Sequence, residues 1–140
     1  MIEKLKVMLD RGAIAPKRAH DEDAGMDLFT MDSFSIDPGK GKKINTGVHV
    51  LIPSGFAGVL MSKSGLNVNH DITCTGLIDA SYTGAIVVKL YNHGKRTYQF
   101  NAGDKISQLI IVPIETPEME IVDHFPVTDR GDGGFGSTGR

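Results

Sequence analysis

The chain of 140 residues lacks three features that mark particular classes of protein. Its single cysteine, Cys74, has no second cysteine with which to form an intramolecular disulfide. No apolar run approaches the roughly 18 residues that a membrane-spanning helix needs, and the start MIEKLKVML does not resemble a secretory signal. With 15 Lys plus Arg against 17 Asp plus Glu, no excess of positive charge favours sequence-independent binding of DNA or RNA. We therefore expect a cytoplasmic protein with no direct nucleic-acid binding and no membrane contact.

The sequence also lacks an amphipathic helical window of ten or more residues, and turn-forming residues separate runs of strand length. Alternating apolar and polar residues predict strands with one buried face at 5–9, 48–52 and 86–90. The almost continuously apolar run 106–114 predicts a strand buried on both faces, partly by another subunit. One short helix is predicted at 66–70. These patterns are typical of an all-β sandwich or barrel.

The last eleven residues, RGDGGFGSTGR, contain five glycines and offer little to a hydrophobic core. Three of these glycines have the spacing of a dinucleotide-binding loop, but that fingerprint needs a preceding strand and a following helix, for which the remaining residues are too few. The first three residues match an integrin-binding tripeptide, which we interpret as chance in a chain without secretory features. A disordered terminus is the simplest remaining interpretation.

Phe135 favours a functional interpretation of this tail, because a large apolar ring stands among the glycines. Backbone N–H groups of glycines bind phosphate closely, arginine pairs with phosphate in a fork, and an aromatic ring stacks on a base. Arg130 and Ser137 flank the ring in sequence. Together these residues predict a lid that closes over a nucleotide.

The segment 76–84, GLIDASYTG, places Asp79 at the predicted tip of a β-hairpin. Asp79 is either a turn residue that caps its own backbone or a general base that acts on a bound water. Leu77 and Ile78 partly exclude water, and Tyr82 supplies a ring that can pack on a sugar. These neighbours favour the general base.

Two further segments have residues suited to phosphate. The segment 61–66, MSKSGL, opens the predicted helix as a phosphate site would, although an ordinary N-cap explains Ser64 equally well. Gln108 lies within an otherwise apolar strand, so its amide needs a partner, either structural or a ligand.

The acidic residues 21–23 beside His20 fit no zinc spacing, and we expect no metal directly ligated by the protein.

Five segments, in this order, resemble the five motifs of the homotrimeric dUTPase family. They are AGMDL (24–28), SKSGL (62–66), GLIDASYTG (76–84), GDKISQL (103–109) and RGDGGFGSTG (130–139). The resemblance spans essentially the whole chain. It implies a jelly-roll-like β-barrel, and a homotrimer whose active sites combine motifs from all three subunits. We accordingly expect a barrel domain at 1–129 and a flexible C-terminal lid at 130–140.

The same resemblance implies a function. The family hydrolyses dUTP to dUMP and pyrophosphate with Mg²⁺, which keeps uracil out of DNA and supplies dUMP for thymidylate synthesis. By similarity, Asp79 activates the water that attacks the α-phosphorus in line, and Tyr82 packs on the deoxyribose. Mg²⁺ bridges the phosphates, and Asp27 reaches it through water if at all.

The resemblance also implies the residues that bind substrate. Backbone groups that pair with the edge of uracil lie around Thr73, Leu77, Ile78 and Val87. The residues implied to hold the phosphates in the body of the protein are Lys63, Ser64, Gly65 and Gln108. In the lid, Phe135 stacks on uracil, and the groups that close on the γ-phosphate are Arg130, Gly136 and Ser137.

The sequence departs from the family at two positions, where Lys63 and Lys105 stand in place of the usual arginines. Lysine keeps the charge but lacks the planar fork, so we expect looser alignment of the phosphates. A dCTP deaminase-like or bifunctional dCTP-to-dUMP enzyme is the nearest rival function, but the positions around Asp79 hold no glutamate for it. A nucleotide-responsive regulator that binds a protein partner is a second rival. A purely structural subunit is a third, and it would leave the glycine-rich motif unexplained.

Overall fold

A computed structural model describes residues 1–139 and confirms the predicted all-β class. Within these residues, no helix is long and apolar enough to cross a lipid bilayer. One short helix, α1 (Ser64–His70), includes the predicted helical residues and begins two residues earlier. The strands are β1 (Lys6–Leu9), β2 (Met26–Phe29), β3 (Phe34–Ile36), β4 (Gly41–Asn45), β5 (Val48–Leu51), β6 (Phe56–Met61), β7 (Ile72–Thr73), β8 (Thr75–Ile78), β9 (Val87–Asn92), β10 (Tyr98–Phe100) and β11 (Lys105–Pro113).

The strands pair in four antiparallel sheets around one apolar core. The largest sheet has the order β2-β11-β6-β8, and a three-stranded sheet has the order β4-β9-β7. Two-stranded sheets join β1 to β5 and β10 to β3. Many paired strands are distant in sequence, which is consistent with a jelly roll. Among residues 1–139 the pairing does not run continuously around a closed barrel.

The core confirms two of the predicted alternating strands. In β5, Val48 and Val50 are buried while Leu51 is exposed. In β9, Val88 and Leu90 are buried and alternate with exposed neighbours. Each such apolar side chain contributes roughly 1.5–3 kcal/mol when it is removed from water. β5 and β9 therefore pack against the core through the faces that their sequence pattern indicates.

Two other strands are less buried than their patterns predict. The predicted buried face at 5–9 is wrong for β1, because all four of its residues are exposed in a two-stranded sheet with β5. In β11, Ile106 and Leu109 are buried, but the residues from Ile110 onward are partly or fully exposed. At Leu109 the pairing of β11 with β2 ends, and β11 continues beside β6 alone. Burial of the remaining residues by another subunit stays a prediction.

The predicted hairpin around Asp79 is paired only at its base. β7 pairs with β9 through Thr73 and Tyr91, and the same register would set Leu77 opposite Val87. Instead, β8 pairs with β6, and β9 pairs with β4 over residues 87–91, so the two arms diverge into different sheets. The facing edges of β8 and β9 therefore present backbone groups that the described ladders do not use.

The chain after β11 forms no further helix or strand up to residue 139. Nearly all of its residues are exposed, including those before position 130. The exposed C-terminal segment is thus longer than the predicted lid. A functional boundary between 129 and 130 stays a prediction.

Candidate active site

A buried carboxylate with two lysines lies at the edge of the four-stranded sheet. Asp27 of β2 is buried opposite Gln108 of β11. Lys63 forms an ion pair with Asp27 Oδ1, and Lys105 Nζ lies 3.0 Å from Asp27 Oδ2. Burial raises the pKa of Asp27, but the hydrogen bonds and charges of the two lysines outweigh burial and hold the pKa below its ordinary value of 3.8. The carboxylate thus fixes two ammonium groups side by side.

Replacing Asp27 by asparagine should lower the free energy of unfolding by about 1–3 kcal/mol at neutral pH, because two ammonium groups lose their counter-charge. A lowered carboxyl pKa contributes stability above pH 3.8, and this contribution is lost as the pH falls through the folded-state pKa. The difference between wild type and variant should therefore shrink below that pH. Urea unfolding at fixed subunit concentration measures both effects.

The matched control is Asp21→Asn, at an exposed aspartate outside this cluster. Its unfolding free energy should change by less than about 0.5 kcal/mol. Equal stability of Asp27→Asn and the wild type across the pH range would contradict a role of the carboxylate in holding the lysines.

Gln108 lies beside this cluster, and the structure provides a partner for its amide. Gln108 Nε2 donates to the carbonyl of Ser62 over 2.9 Å. A Cβ at Gly25 would collide with the Gln108 side chain, so glycine is required where the two segments meet. The sequence left open whether the Gln108 amide pairs with the protein or with a ligand. In the structure its partner is the Ser62 carbonyl.

Lys63, Ser64 and Gly65 come together where β6 ends and α1 begins. Lys63 is the N-cap residue, with an extended backbone and no capping hydrogen bond from its side chain. Ser64 is the first helical residue, so its interpretation as the N-cap is wrong. The unpaired N–H groups of a first helical turn and the Lys63 ammonium thus lie at one end of the helix.

The open hairpin holds a small cleft of about 210 Å³. The cleft brings together five residues predicted to bind or attack the substrate, namely Leu77, Ile78, Asp79, Tyr82 and Val87. Thr73 lies outside this lining, at the paired base of the hairpin, where its Oγ1 hydrogen-bonds with His93 Nε2 over 2.8 Å. The role of Thr73 in binding uracil stays a prediction.

Tyr82 is held by its own loop. Its N–H donates to the carbonyl of Asp79 over 3.1 Å, and its hydroxyl donates to the carbonyl of Ala85 over 2.8 Å. A Cβ at Gly84 would lie 2.7 Å from Tyr82 Cζ, so only glycine lets the ring fold back there. The turn uses the Asp79 carbonyl rather than its carboxylate, which leaves the carboxylate out of this backbone contact.

The glycine-rich tail is folded into turns of its own. Arg130 Nε donates to the carbonyl of Gly133 over 2.6 Å, and the Ser137 N–H donates to the carbonyl of Gly134. Phe135 is fully exposed and has a φ of +52°, a backbone region that bulky residues rarely adopt. Gly136 follows it with a φ of +90°. The tail therefore presents its one large apolar ring to the outside.

The two clusters of predicted site residues lie at opposite ends of one strand pair. The register of β6 with β8 sets Met61 opposite Thr75 and Gly58 opposite Ile78. Extending it one step beyond Cys74 sets Lys63 opposite Thr73, six residues before Asp79. At about 3.3 Å per residue, roughly 20 Å separate Lys63 from Asp79 along the strand. A single chain does not bring the predicted phosphate site to the predicted catalytic base.

Comparison with known proteins decides the family. The family model described as dUTPase matches residues 11–139. The chain belongs to the dUTPase family. The deoxyuridine 5'-triphosphate nucleotidohydrolase of Gloeothece citriformis is 41% identical over an alignment 140 positions long, gaps included, which covers 97% of each chain.

Solved structures of phage dUTPases share this fold. The dUTPase of Staphylococcus bacteriophage 80alpha, determined with dUPNHPP, has a TM-score of 0.94 and 32% identity, covering 99% of this chain and 100% of that chain. A second structure, of a variant dUTPase from phage phi11 of S. aureus, reveals how that protein coordinates a structural Mg(II) ion. It has a TM-score of 0.81 and 34% identity, covering 87% of this chain and 98% of that chain. The jelly-roll-like fold of this dUTPase is confirmed.

Two contacts near the site were not predicted from the sequence. Lys105 contacts Asp27 although the two residues are far apart in sequence, and only its place in the fourth motif signalled it. His49 reaches the loop that carries Tyr82, and no spacing or motif singled it out. Within residues 1–139, no three His, Cys, Asp or Glu side chains form a cluster that could hold a metal ion.

Proposed function

We propose that the chain hydrolyses dUTP to dUMP and pyrophosphate with Asp79 as the general base. Membership of the dUTPase family makes it a hydrolase acting on dUTP. The observation that carries the mechanism is the cleft between the diverging arms of the hairpin, with Asp79 and Tyr82 in its lining. Asp79 takes a proton from a water, whose oxygen bonds to the α-phosphorus. The bond from that phosphorus to the bridging oxygen breaks, and pyrophosphate leaves with its electron pair.

Uracil enters the cleft between β8 and β9 in this proposal. The facing strand edges supply backbone N–H and C=O groups near Leu77, Ile78 and Val87 to pair with the base. Cytosine presents a donor where uracil presents an acceptor, so buried groups would lose their partners. In this proposal the hairpin also leaves no room for the additional methyl group of thymine. Tyr82 packs on the deoxyribose where a ribose 2′-hydroxyl would clash.

The triphosphate lies on the other cluster, held by Lys63, Ser64, Gly65 and Gln108. When bound, Mg²⁺ neutralises charge on the phosphate oxygens, and a hard ion of this kind keeps several waters. Both Asp27 oxygens contact lysines, so this chain fits a metal held mainly by the substrate and water. A water-mediated contact from Asp27 to the ion stays a prediction.

We further propose a homotrimer in which each active site is shared. Within one chain about 20 Å separate Lys63 from Asp79, which is too far for one triphosphate to be held by the first and attacked beside the second. A second subunit that supplies the phosphate cluster removes this conflict. In the family arrangement a third subunit supplies the tail, and its exposed Phe135 closes over the site.

Mixing two inactive variants tests the shared site. Asp79→Asn removes the base, and Lys63→Met removes the ammonium while keeping a long apolar side chain. If each site takes Asp79 from one subunit and Lys63 from another, reassembly of an equal mixture should restore about a quarter of the wild-type sites. Pyrophosphate release after mild unfolding and refolding of the mixture measures the recovery.

The control mixes each variant with itself under the same conditions, and neither should recover activity. A second control combines both substitutions in one chain and mixes it with wild type. Recovery no greater than the sum of the separate variants would place both residues of a site in the same chain.

The proposed activity is tested by pyrophosphate release from dUTP, dTTP, dCTP and UTP, each with and without Mg²⁺. We expect rapid release from dUTP with Mg²⁺ and at least about 100-fold lower kcat/KM for the other three, as unpaired polar groups and steric exclusion predict. Faster release from dCTP than from dUTP would contradict the proposed recognition of uracil.

A second candidate function is a nucleotide-dependent regulator of a protein partner. The observation that favours it is the similarity to the dUTPase of phage 80alpha, one of the phage dUTPases that control the transfer of virulence genes by a proto-oncogenic G protein-like mechanism. In such a role, dUTP with the tail closed would set the form that a partner binds. Asp79→Asn, which is expected to bind dUTP without turning it over, would then keep the partner-binding form.

A further inference from the structure

His49 contacts two residues that are distant from it in the sequence. Its Nδ1 lies 2.7 Å from the carbonyl oxygen of Thr83, and its Nε2 lies 2.9 Å from Asp10 Oδ1. A carbonyl and an ionised carboxylate are both acceptors, so each ring nitrogen has to donate. Only the protonated imidazolium ring donates from both nitrogens, and the geometry therefore selects that form.

Thr83 belongs to the loop 79–86, which carries the proposed catalytic groups. Its last residue is anchored to β5 and the preceding turn, because the Ile86 N–H donates to the Val48 carbonyl and the Ile86 carbonyl accepts from Thr46 N–H and Oγ1. Its first half is closed on itself by the turn from Asp79 to Tyr82. The bond from His49 to the carbonyl of Thr83, the residue after this turn, ties the turn to the body of the protein.

We propose that protonated His49 is a positioning residue for dUTP hydrolysis, holding the loop 79–86 so that Tyr82 stays over the cleft. The proposal rests on the substrate site proposed above. When the ring loses a proton, the ionised Asp10 carboxylate is the stronger acceptor and keeps the remaining proton on Nε2. Nδ1 then presents a lone pair to the Thr83 carbonyl, and that contact becomes repulsive. The loop then loses an anchor one residue from Tyr82, and dUTP has to restore the loop when it binds.

The charges around the ring set the direction of the pH effect. The hydrogen bond to Thr83 raises the pKa of His49 above its ordinary value of 6.5, burial lowers it, and Asp10 raises it further, with a net increase. Lys6 of β1 lines the same surface depression, and Asp79 and Tyr82, the titratable groups of the loop, line the cleft instead. The bridge is therefore complete below pH 6.5 and is lost as the pH rises through the raised pKa.

The KM for dUTP of the wild type should rise about threefold as the pH increases through this transition, while kcat stays within about twofold, because substrate binding reorders the loop. His49→Gln should have the higher KM at low pH already and show no such transition. His20→Gln is the matched control, since His20 pairs with Asp23 at an exposed site, and its profile should follow the wild type. Superimposable profiles of the wild type and His49→Gln would overturn the proposal.

Asp10→Asn keeps an oxygen acceptor for His49 but removes its negative charge. The midpoint of the KM transition should therefore move to lower pH, with the KM at acidic pH unchanged. A purely structural role of His49 would not move a midpoint. An unchanged midpoint in Asp10→Asn would contradict the bridge.

Titration of the ring by NMR separates this inference from the proposed function. Without nucleotide, the titration midpoint of His49 should lie above 6.5, and a midpoint at or below 6.5 would refute the bridge whether or not the protein hydrolyses dUTP. A non-hydrolysable dUTP analogue with Mg²⁺ should raise the His49 pKa by about half a unit, the reciprocal of a threefold effect on binding, and leave His20 unchanged. An unshifted His49 in the saturated complex would refute the coupling, whereas failure of the wild type to hydrolyse dUTP would refute the function.

Discussion

Asp79→Asn is expected to reduce the turnover of dUTP about 100-fold or more, because an amide cannot take the proton from the attacking water. Binding should stay within a few-fold of the wild type, since the amide has the same shape and the cleft is lined by other residues as well. Steady-state pyrophosphate release measures kcat, and binding of a non-hydrolysable dUTP analogue measures affinity. A fall in kcat without a matching loss of affinity is the signature of a group needed in the transition state.

Asp21→Asn is the matched control, because Asp21 is an exposed aspartate outside both clusters of site residues. It should keep turnover within about twofold of the wild type. Near-normal turnover in Asp79→Asn would assign the base to another residue. Loss of binding in parallel with turnover would make Asp79 a binding group instead.

Deleting residues 130–140 is expected to leave a folded protein with kcat/KM for dUTP reduced about 100-fold or more. The described hydrogen bonds of this segment run within the tail and to Thr128, so its removal takes no support from the sheets. What is lost is closure over the nucleotide, which excludes water and fixes the geometry of attack. Thermal unfolding measures the fold, and pyrophosphate release measures the activity.

Two single substitutions separate stacking from the other contributions of the tail. Phe135→Leu keeps an apolar side chain without a ring and should raise KM about tenfold, within the range for loss of a stacked aromatic group. Phe135→Trp keeps a ring that can stack and should stay closer to the wild type. Equal effects of the two, or full activity of the truncated chain, would contradict a lid that stacks on the base.

Much of the fold was predictable because local patterns carry it. The buried alternation in β5 and β9 was correct, since residues two apart in a strand lie on the same face. The same pattern failed in β1, which has the alternation although all four of its residues are exposed. Periodicity shows which residues share a face. It does not show whether anything covers that face.

The site was predictable as residue types and not as an arrangement. The sequence identified Asp79, Tyr82 and their apolar neighbours, and the structure gathers them around one cleft. It also identified Lys63 and Gln108, but not that they lie near the Met61 end of β6, away from the cleft. The resemblance led us to expect active sites shared between subunits. The distance between Lys63 and Asp79 within one chain is a physical reason for that sharing.

By itself, the sequence determined the all-β class, the positions of the turns and the five motifs that mark the family. These depend on residue type and on spacing over a few positions. The tertiary structure alone decided three things: the pairing of Asp27 with Lys63 and Lys105, the divergence of β8 and β9 that opens the cleft, and the contact of His49 with Thr83 and Asp10. Each joins residues that are distant in the chain. Such contacts depend on which strands become neighbours and in which register, and that is set by packing of the whole core rather than by any local pattern.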